Sequence, residues 1–375
     1  MASIRIVHHA SDRFVELDSL RAIAAMGVVC WHYVNWLGSA PLPYLLAPFF
    51  QRGLLMVDFF FVLSGFVLAK AFWSPIRAVS PMRNIWQRVA RLYPLHLFTL
   101  CIVAALQWWL VHRLHGEPFV YAGNTARNFG LNLLLLQQSG LQHGFSFNAP
   151  SWSISTEFLI NLVFLMLIAA PGYLGRVGIV LLWIAALVGV AQFDIVGIAR
   201  PFGWIDHELP RTCAGFLTGV MTYRLYAHFN GRSCSPMLGD ALSLLLIVIV
   251  ATYLAESTLW SPVGDIFICL LAFPVTVLTV LGSGKFRDCL RWRPLIRMGE
   301  NSYSIYLMHF PLLLTVYVLS LATNTTFPFG STLFFLIFML VLVLVASMTH
   351  QWIEQPGRRW MTDLFNSKRH AATSH

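Results

Sequence analysis

Apolar positions in this chain come in long runs separated by short polar breaks, with no strand-like alternation. A membrane-crossing helix needs about 20 mostly apolar residues. Ten segments meet that test with some tolerance at their ends: 21–37, 53–73, 93–112, 152–170, 177–193, 212–226, 241–256, 264–282, 302–321 and 332–353. Several are short and draw on flanking residues. The run 129–138 (FGLNLLLLQQ) is too short to cross and reads as re-entrant or interfacial. Residues 1–20 hold Arg5, Arg13, Glu16 and Asp18, which is no apolar leader. The first run carries His32 and Asn35 without a small-residue cleavage site, so it is expected to stay as the first span. The longest polar stretch is 113–151, and no internal repeat is evident. The expected fold is all-α: a polytopic membrane helix bundle of ten transmembrane helices. A segment 1–20 precedes a membrane domain 21–356, and a tail 357–375 follows, unstructured over 361–375.

Composition agrees with this and removes the alternatives. Only 11% of residues are charged and 57% are hydrophobic, with a mean hydropathy of +0.68. Soluble domains carry roughly 25% charged residues, so this chain has too few to cover a soluble surface. Disorder, collagen and a secreted disulfide scaffold are excluded on the same figures. The net charge of +9 could suggest nucleic acid, but the basic residues lie scattered between apolar runs and report topology instead. With the N-terminus cytoplasmic, 20 of the 25 Lys and Arg fall on the inner side, and Arg52, Arg113, Arg127, Arg200 and Arg211 on the outer. Both termini are therefore expected in the cytoplasm. Six cysteines without metal spacing imply neither a disulfide nor a bound metal.

Ionisable groups inside spans cost roughly 2.5–3.5 kcal/mol on insertion scales, so each is a candidate site residue. His32 lies eleven residues after Arg21, roughly 16 Å along a helix and near mid-bilayer. There it could be a structural imidazole or one that takes and gives a proton. Asp18 and Arg21 stand at the cytoplasmic mouth below it. Asp58, in the second span, needs a partner. Arg88 and Arg91 are spaced i, i+3, two guanidinium forks on one helix face that suit a diphosphate or lipid headgroups. Glu157 enters from the outside about a turn and a half into PSWSISTE, behind Trp152 and Ser153. Arg211, beside Asp206, His207 and Glu208, could bind an anionic group or a carboxylate. Tyr303 and His309 lie on the ninth span, with His309 about two turns in. Glu354 is expected to pair with a basic residue at the cytoplasmic face. No Walker loop, GxGxxG, HExxH or GxSxG occurs, so hydride transfer and ATP-driven pumping have no visible machinery.

The set resembles acyltransferase family 3, the bacterial integral-membrane acyltransferases that modify O-antigens, exopolysaccharides and nodulation factors. The stretches that carry the likeness are LDSLRAIAA with His32, VDFFFVLSGFVL, RVARLYPLH, PSWSISTEF, Arg211 with Gly215, Phe216 and Gly219, NSYSIYLMHFP and IEQP. They run in family order from residue 17 to 356. The resemblance implies transfer of an acyl group, usually acetyl, from cytoplasmic acyl-CoA to a hydroxyl of a carbohydrate or glycolipid such as lipopolysaccharide, in the cell inner membrane. It implies no bound cofactor; acyl-CoA is a substrate, membrane lipid surrounds the protein, and nucleic acid is not a partner. His32 falls on the family's catalytic group, Arg88 and Arg91 on the pair linked to the acyl donor, and Arg21 and Glu157 on motif positions. We expect His32 to deprotonate the acceptor hydroxyl with Glu157 or Asp58 orienting the imidazole, or to carry the acyl group transiently. The rival class is a transporter or flippase for a lipid-linked sugar that uses the same polar groups without chemistry.

Overall fold

The computed structural model describes residues 13–73, 80–193, 195, 207–229 and 235–373. Arg5, Arg77, Arg200, Asp206 and Arg232 lie outside the described residues. No strand occurs among the described residues, which form α1 (Val15–Leu37), α2 (Pro43–Arg52), α3 (Met56–Phe72), α4 (Pro81–His112), α5 (Ala126–Leu133), α6 (Trp152–Ala169), α7 (Leu174–Phe193), α8 (Glu208–His228), α9 (Pro236–Ala255), α10 (Pro262–Phe267), α11 (Phe273–Gly282), α12 (Lys285–Leu290), α13 (Arg293–Glu300), α14 (Ser302–Ala322), α15 (Thr332–Thr349) and α16 (Gln355–Thr373). A π-helical turn, Ile268–Ala272, joins α10 to α11, and another, His350–Glu354, joins α15 to α16.

All ten apolar segments are helical. Eight helical stretches among the described residues are long and apolar enough to cross a membrane. The other two expected spans are α1 and α8, which have the length, 23 and 21 residues, but carry Glu16, Asp18 and Arg21, and Glu208, Arg211 and Arg224. Their setting explains the difference. α1 packs against α2, α3, α13 and α14, and α8 against α3, α6 and α7, so Glu16, Asp18, Glu208 and Arg211 are buried in protein, while Arg224 is exposed near the end of α8. On α7 and α9 only 22% of the apolar window is buried, and they turn Leu181, Ile184 and Val188, and Leu244, Leu245 and Val248, outward. These faces suit lipid hydrocarbon. The result is a multi-pass membrane bundle with its polar helices inside and its apolar helices outside.

Two expectations change, and the run 129–138 takes a definite shape. α1 starts at Val15, so residues 15–20 belong to the first helix. The tail is not unstructured: α16 continues to Thr373 and lies along α4, where the Trp86 indole donates to the Met361 carbonyl (2.7 Å). The stretch 129–138 is the end of α5 and a turn that folds back on α6. There Gln137 donates to Ser151, and the Gln138 backbone N–H to Ser155 Oγ (3.2 Å).

α3 and α8 touch backbone to backbone. A Cβ at Gly65 would meet the Phe216 carbonyl, and one at Gly219 the Val62 carbonyl, so both positions need glycine for close approach. Gly65→Ala or Gly219→Ala should force the helices apart and cost about 1–3 kcal/mol. Thermal unfolding in detergent would read this as a lowered midpoint; a midpoint equal to wild type would contradict the close approach.

Candidate active site

His32 and His309 meet in the middle of the bundle. His309 Nε2 lies 3.1 Å from His32 Nδ1. His32 Nδ1 is also 3.1 Å from the Val28 carbonyl, and His309 Nδ1 faces the Tyr306 carbonyl. His309 is fully buried and His32 is 9% exposed. Trp36 covers both rings, 4.1 Å from the His32 ring centroid and parallel to His309 at 6.2 Å. The local helix makes room for this. Pro311 has no N–H to give Leu307, and the Asn148 amide donates to that carbonyl instead (3.1 Å). His309 was expected to sit shallower than His32. The two rings meet across α1 and α14, and α13 packs on the start of α1, where a Cβ at Gly299 would meet the Asp18 backbone.

A narrow cavity of about 70 Å³ lies next to Tyr306, lined also by Arg21, Arg88, Arg91, Ser64 and Glu157. Glu157 accepts a hydrogen bond from Ser64 Oγ and faces Arg21 and Arg88 electrostatically. The arginines Arg21, Arg88 and Arg91 make no hydrogen bond or ion pair among the described residues. The Tyr306 hydroxyl donates to the Pro150 carbonyl (2.8 Å) and lies 2.8 Å from Ser153 Oγ. Tyr303 donates to the Leu92 carbonyl (2.6 Å), which ties α14 to α4. A second cavity of about 1290 Å³ lies at the start of α1. Arg21 and Arg91 line both cavities, and Arg13, Lys70, Arg358 and Arg359 line the larger one, with Asp18, Glu300 and Glu354 among them.

Neither carboxylate expected to orient His32 does so. Asp58 is held by Arg211 through both oxygens, Nε to Oδ1 at 2.8 Å and Nη2 to Oδ2 at 2.6 Å. Both side chains are almost fully buried, and Trp152 lies 5.5 Å under the guanidinium. Glu157 belongs to the narrow cavity. The geometric reason is the same for both: α3 and α6 present these residues toward α8 and the arginines, while His32 faces α14. Asp18 pairs with Arg13 (2.8 Å), which also reaches Glu300 (3.0 Å). Glu354 accepts from Ser304 (2.8 Å) and pairs with His350 Nδ1 (2.9 Å), a basic residue, with Arg358 facing it electrostatically.

Tyr306 was absent from the expected site. Its i, i+3 spacing to His309 was visible in SYSIYLMH, but its role as wall between cavity and histidines depends on tertiary packing. Ser64, within VDFFFVLSGFVL, was likewise absent, and its hydroxyl donates to Glu157.

Paired histidines and a cluster of cations thus lie together inside a bundle of membrane-length helices. The family model described as an acyltransferase domain matches residues 14–350, and the chain belongs to this family of acyltransferase enzymes. It is 27% identical to acyltransferase MdmB of Streptomyces mycarofaciens, over 80% of this chain and 78% of that protein. It is 25% identical to the putative peptidoglycan O-acetyltransferase YrhL of Bacillus subtilis, and 24% identical to O-acetyltransferase OatA of Staphylococcus aureus. These two alignments cover 91% and 92% of this chain but 54% and 57% of the relatives, so the chain spans just over half their length. No solved structure matches it.

The Asp58–Arg211 pair can be tested as a structural unit. Removing one partner should cost about 3–5 kcal/mol by leaving a buried charge alone, whereas replacing both with apolar residues is often neutral. Asp58→Leu with Arg211→Met should therefore unfold near the wild-type temperature and still transfer, while either single variant is lost. A folded, inactive double variant would return Asp58 or Arg211 to the chemistry.

Proposed function

We propose that the protein transfers an acyl group, acetyl by the family's habit, from cytoplasmic acyl-CoA to a hydroxyl of a carbohydrate or glycolipid such as an O-antigen or exopolysaccharide. The observation that carries this is the pair of cavities sharing Arg21 and Arg91. The larger is wide enough for a nucleotide and rich in cations, and the smaller is narrow and ends at Tyr306. In this reading the CoA diphosphate lies against Arg88 and Arg91, whose planar forks suit phosphate. The thioester then points into the narrow cavity. The acceptor hydroxyl comes from the opposite side toward His32. The His32 imidazole takes the hydroxyl proton, the oxygen attacks the thioester carbonyl, and CoA leaves as thiolate. The acyl group ends on the acceptor oxygen.

The same reading sets the topology. Ten crossings, α1 and α8 included, keep both termini and the larger cavity on the cytoplasmic side of the inner membrane. The basic bias of 20 in 25 supports this. The names of YrhL and OatA support an O-acyl product, and the peptidoglycan in the name of YrhL supports a glycan acceptor.

Two variants test the division of labour at equal protein level. Arg88→Ala/Arg91→Ala should weaken acetyl-CoA binding at least about tenfold, with partial recovery by lysines, which lack the fork. His32→Ala should lose transfer by roughly 10²–10⁴-fold and keep acetyl-CoA binding. Unchanged affinity in the first, or near wild-type transfer in the second, removes the corresponding assignment.

A further inference from the structure

We propose that His309 is a positioning residue: a neutral imidazole whose hydrogen bond fixes the tautomer and aim of His32. This rests on His32 acting as the base of the transfer proposed above. The hydrogen-bond partners determine the protons. His309 Nδ1 faces the Tyr306 carbonyl oxygen, and a carbonyl only accepts, so Nδ1 carries the hydrogen. A neutral imidazole has one N–H, so His309 Nε2 is an acceptor. It lies 3.1 Å from His32 Nδ1, whose other neighbour, the Val28 carbonyl at 3.1 Å, also only accepts. His32 Nδ1 therefore carries the hydrogen, and the lone pair sits on His32 Nε2, the nitrogen that neither neighbour occupies. With the proton on Nε2 instead, the Nδ1 lone pair would face two acceptors in a buried site.

His309 thus stands where hydrolase triads place a carboxylate. A carboxylate here would need a cation, and Arg211 on α8 is already taken by Asp58. An imidazole offers the same acceptor without burying a charge. Its aim is fixed by the Tyr306 carbonyl below and by the parallel Trp36 ring beside it. When His32 gains the acceptor's proton on Nε2, its Nδ1–H already points at His309, and no partner has to move.

The test uses the full chain in lipid nanodiscs, radiolabelled acetyl-CoA as donor and a membrane extract of the parent cell as acceptor source. Label in glycan and acetyl-CoA affinity are both read. His309→Leu should lower transfer roughly 10–100-fold with affinity unchanged. His309→Gln, whose amide reaches the place of Nε2, should recover most of it. His309→Asn, whose amide reaches only the place of Nδ1, should not. His309→Glu should move the acid limb of the pH–rate profile upward, because a carboxylate stabilises the protonated His32. Equal activity of the Gln and Asn variants would overturn the positioning role, also if the Leu variant fails to fold. So would wild-type transfer by a folded Leu variant. If His32→Ala is inactive while His309→Leu is fully active, only the positioning role falls. If His32→Ala itself transfers at the wild-type rate, both readings fall.

Discussion

A polar group at membrane depth has to find its partner inside the protein, because lipid hydrocarbon offers none. The bundle is organised around that constraint. α1 and α8 hold several of the groups in question, and both are packed inside. The Asp58–Arg211 fork joins α3 to α8 where Gly65 and Gly219 let the two backbones touch. Such a pair at this depth resists removal of either half, so it fixes the register of the helices that flank the site. Once α3 and α8 are set, α6 brings Glu157 to Ser64 and α14 brings His309 to His32.

The arginines of the narrow cavity break this rule. Arg21, Arg88 and Arg91 are drawn together with little more than Glu157 and Asp18 to balance them. Three cations so placed repel one another unless an anion is present. On the proposed reading this charge awaits a ligand that carries its own negative charge. Its junction with the larger cavity gives a polyphosphate a path to the same place. On the proposed reading the histidine pair, by contrast, is neutral and leaves His32 Nε2 open, as suits a group that is to accept a proton.

Much of this was legible in the sequence for physical reasons. Apolar runs near the thickness of a bilayer showed the helices, and buried ionisable residues stood out against them. The i, i+3 spacing of Arg88 and Arg91 placed them on one face before any fold was known. What was not legible is what depends on which helices touch. Nothing in α3 alone says that Asp58 meets Arg211, which is 153 residues away. Counting turns along each helix could not show that the His309 and His32 rings meet, because that depends on how α14 packs on α1. The expectation of a carboxylate beside His32 came from analogy with catalytic triads, and the packing of α1 on α14 supplies an imidazole instead. The tail from 361 onward looked polar enough to be loose, but α16 finds Trp86 to rest on.

The central claim is that donor and acceptor reach one buried centre from opposite faces of the bundle. Sidedness tests it most directly. Sealed vesicles of known orientation would receive labelled acetyl-CoA, which does not cross membranes, on one face only, and label in the glycan would be measured. Label should appear only when acetyl-CoA is on the face that exposes the start of α1 and α16. Label of equal strength from the other face, or from that face alone, would contradict the account.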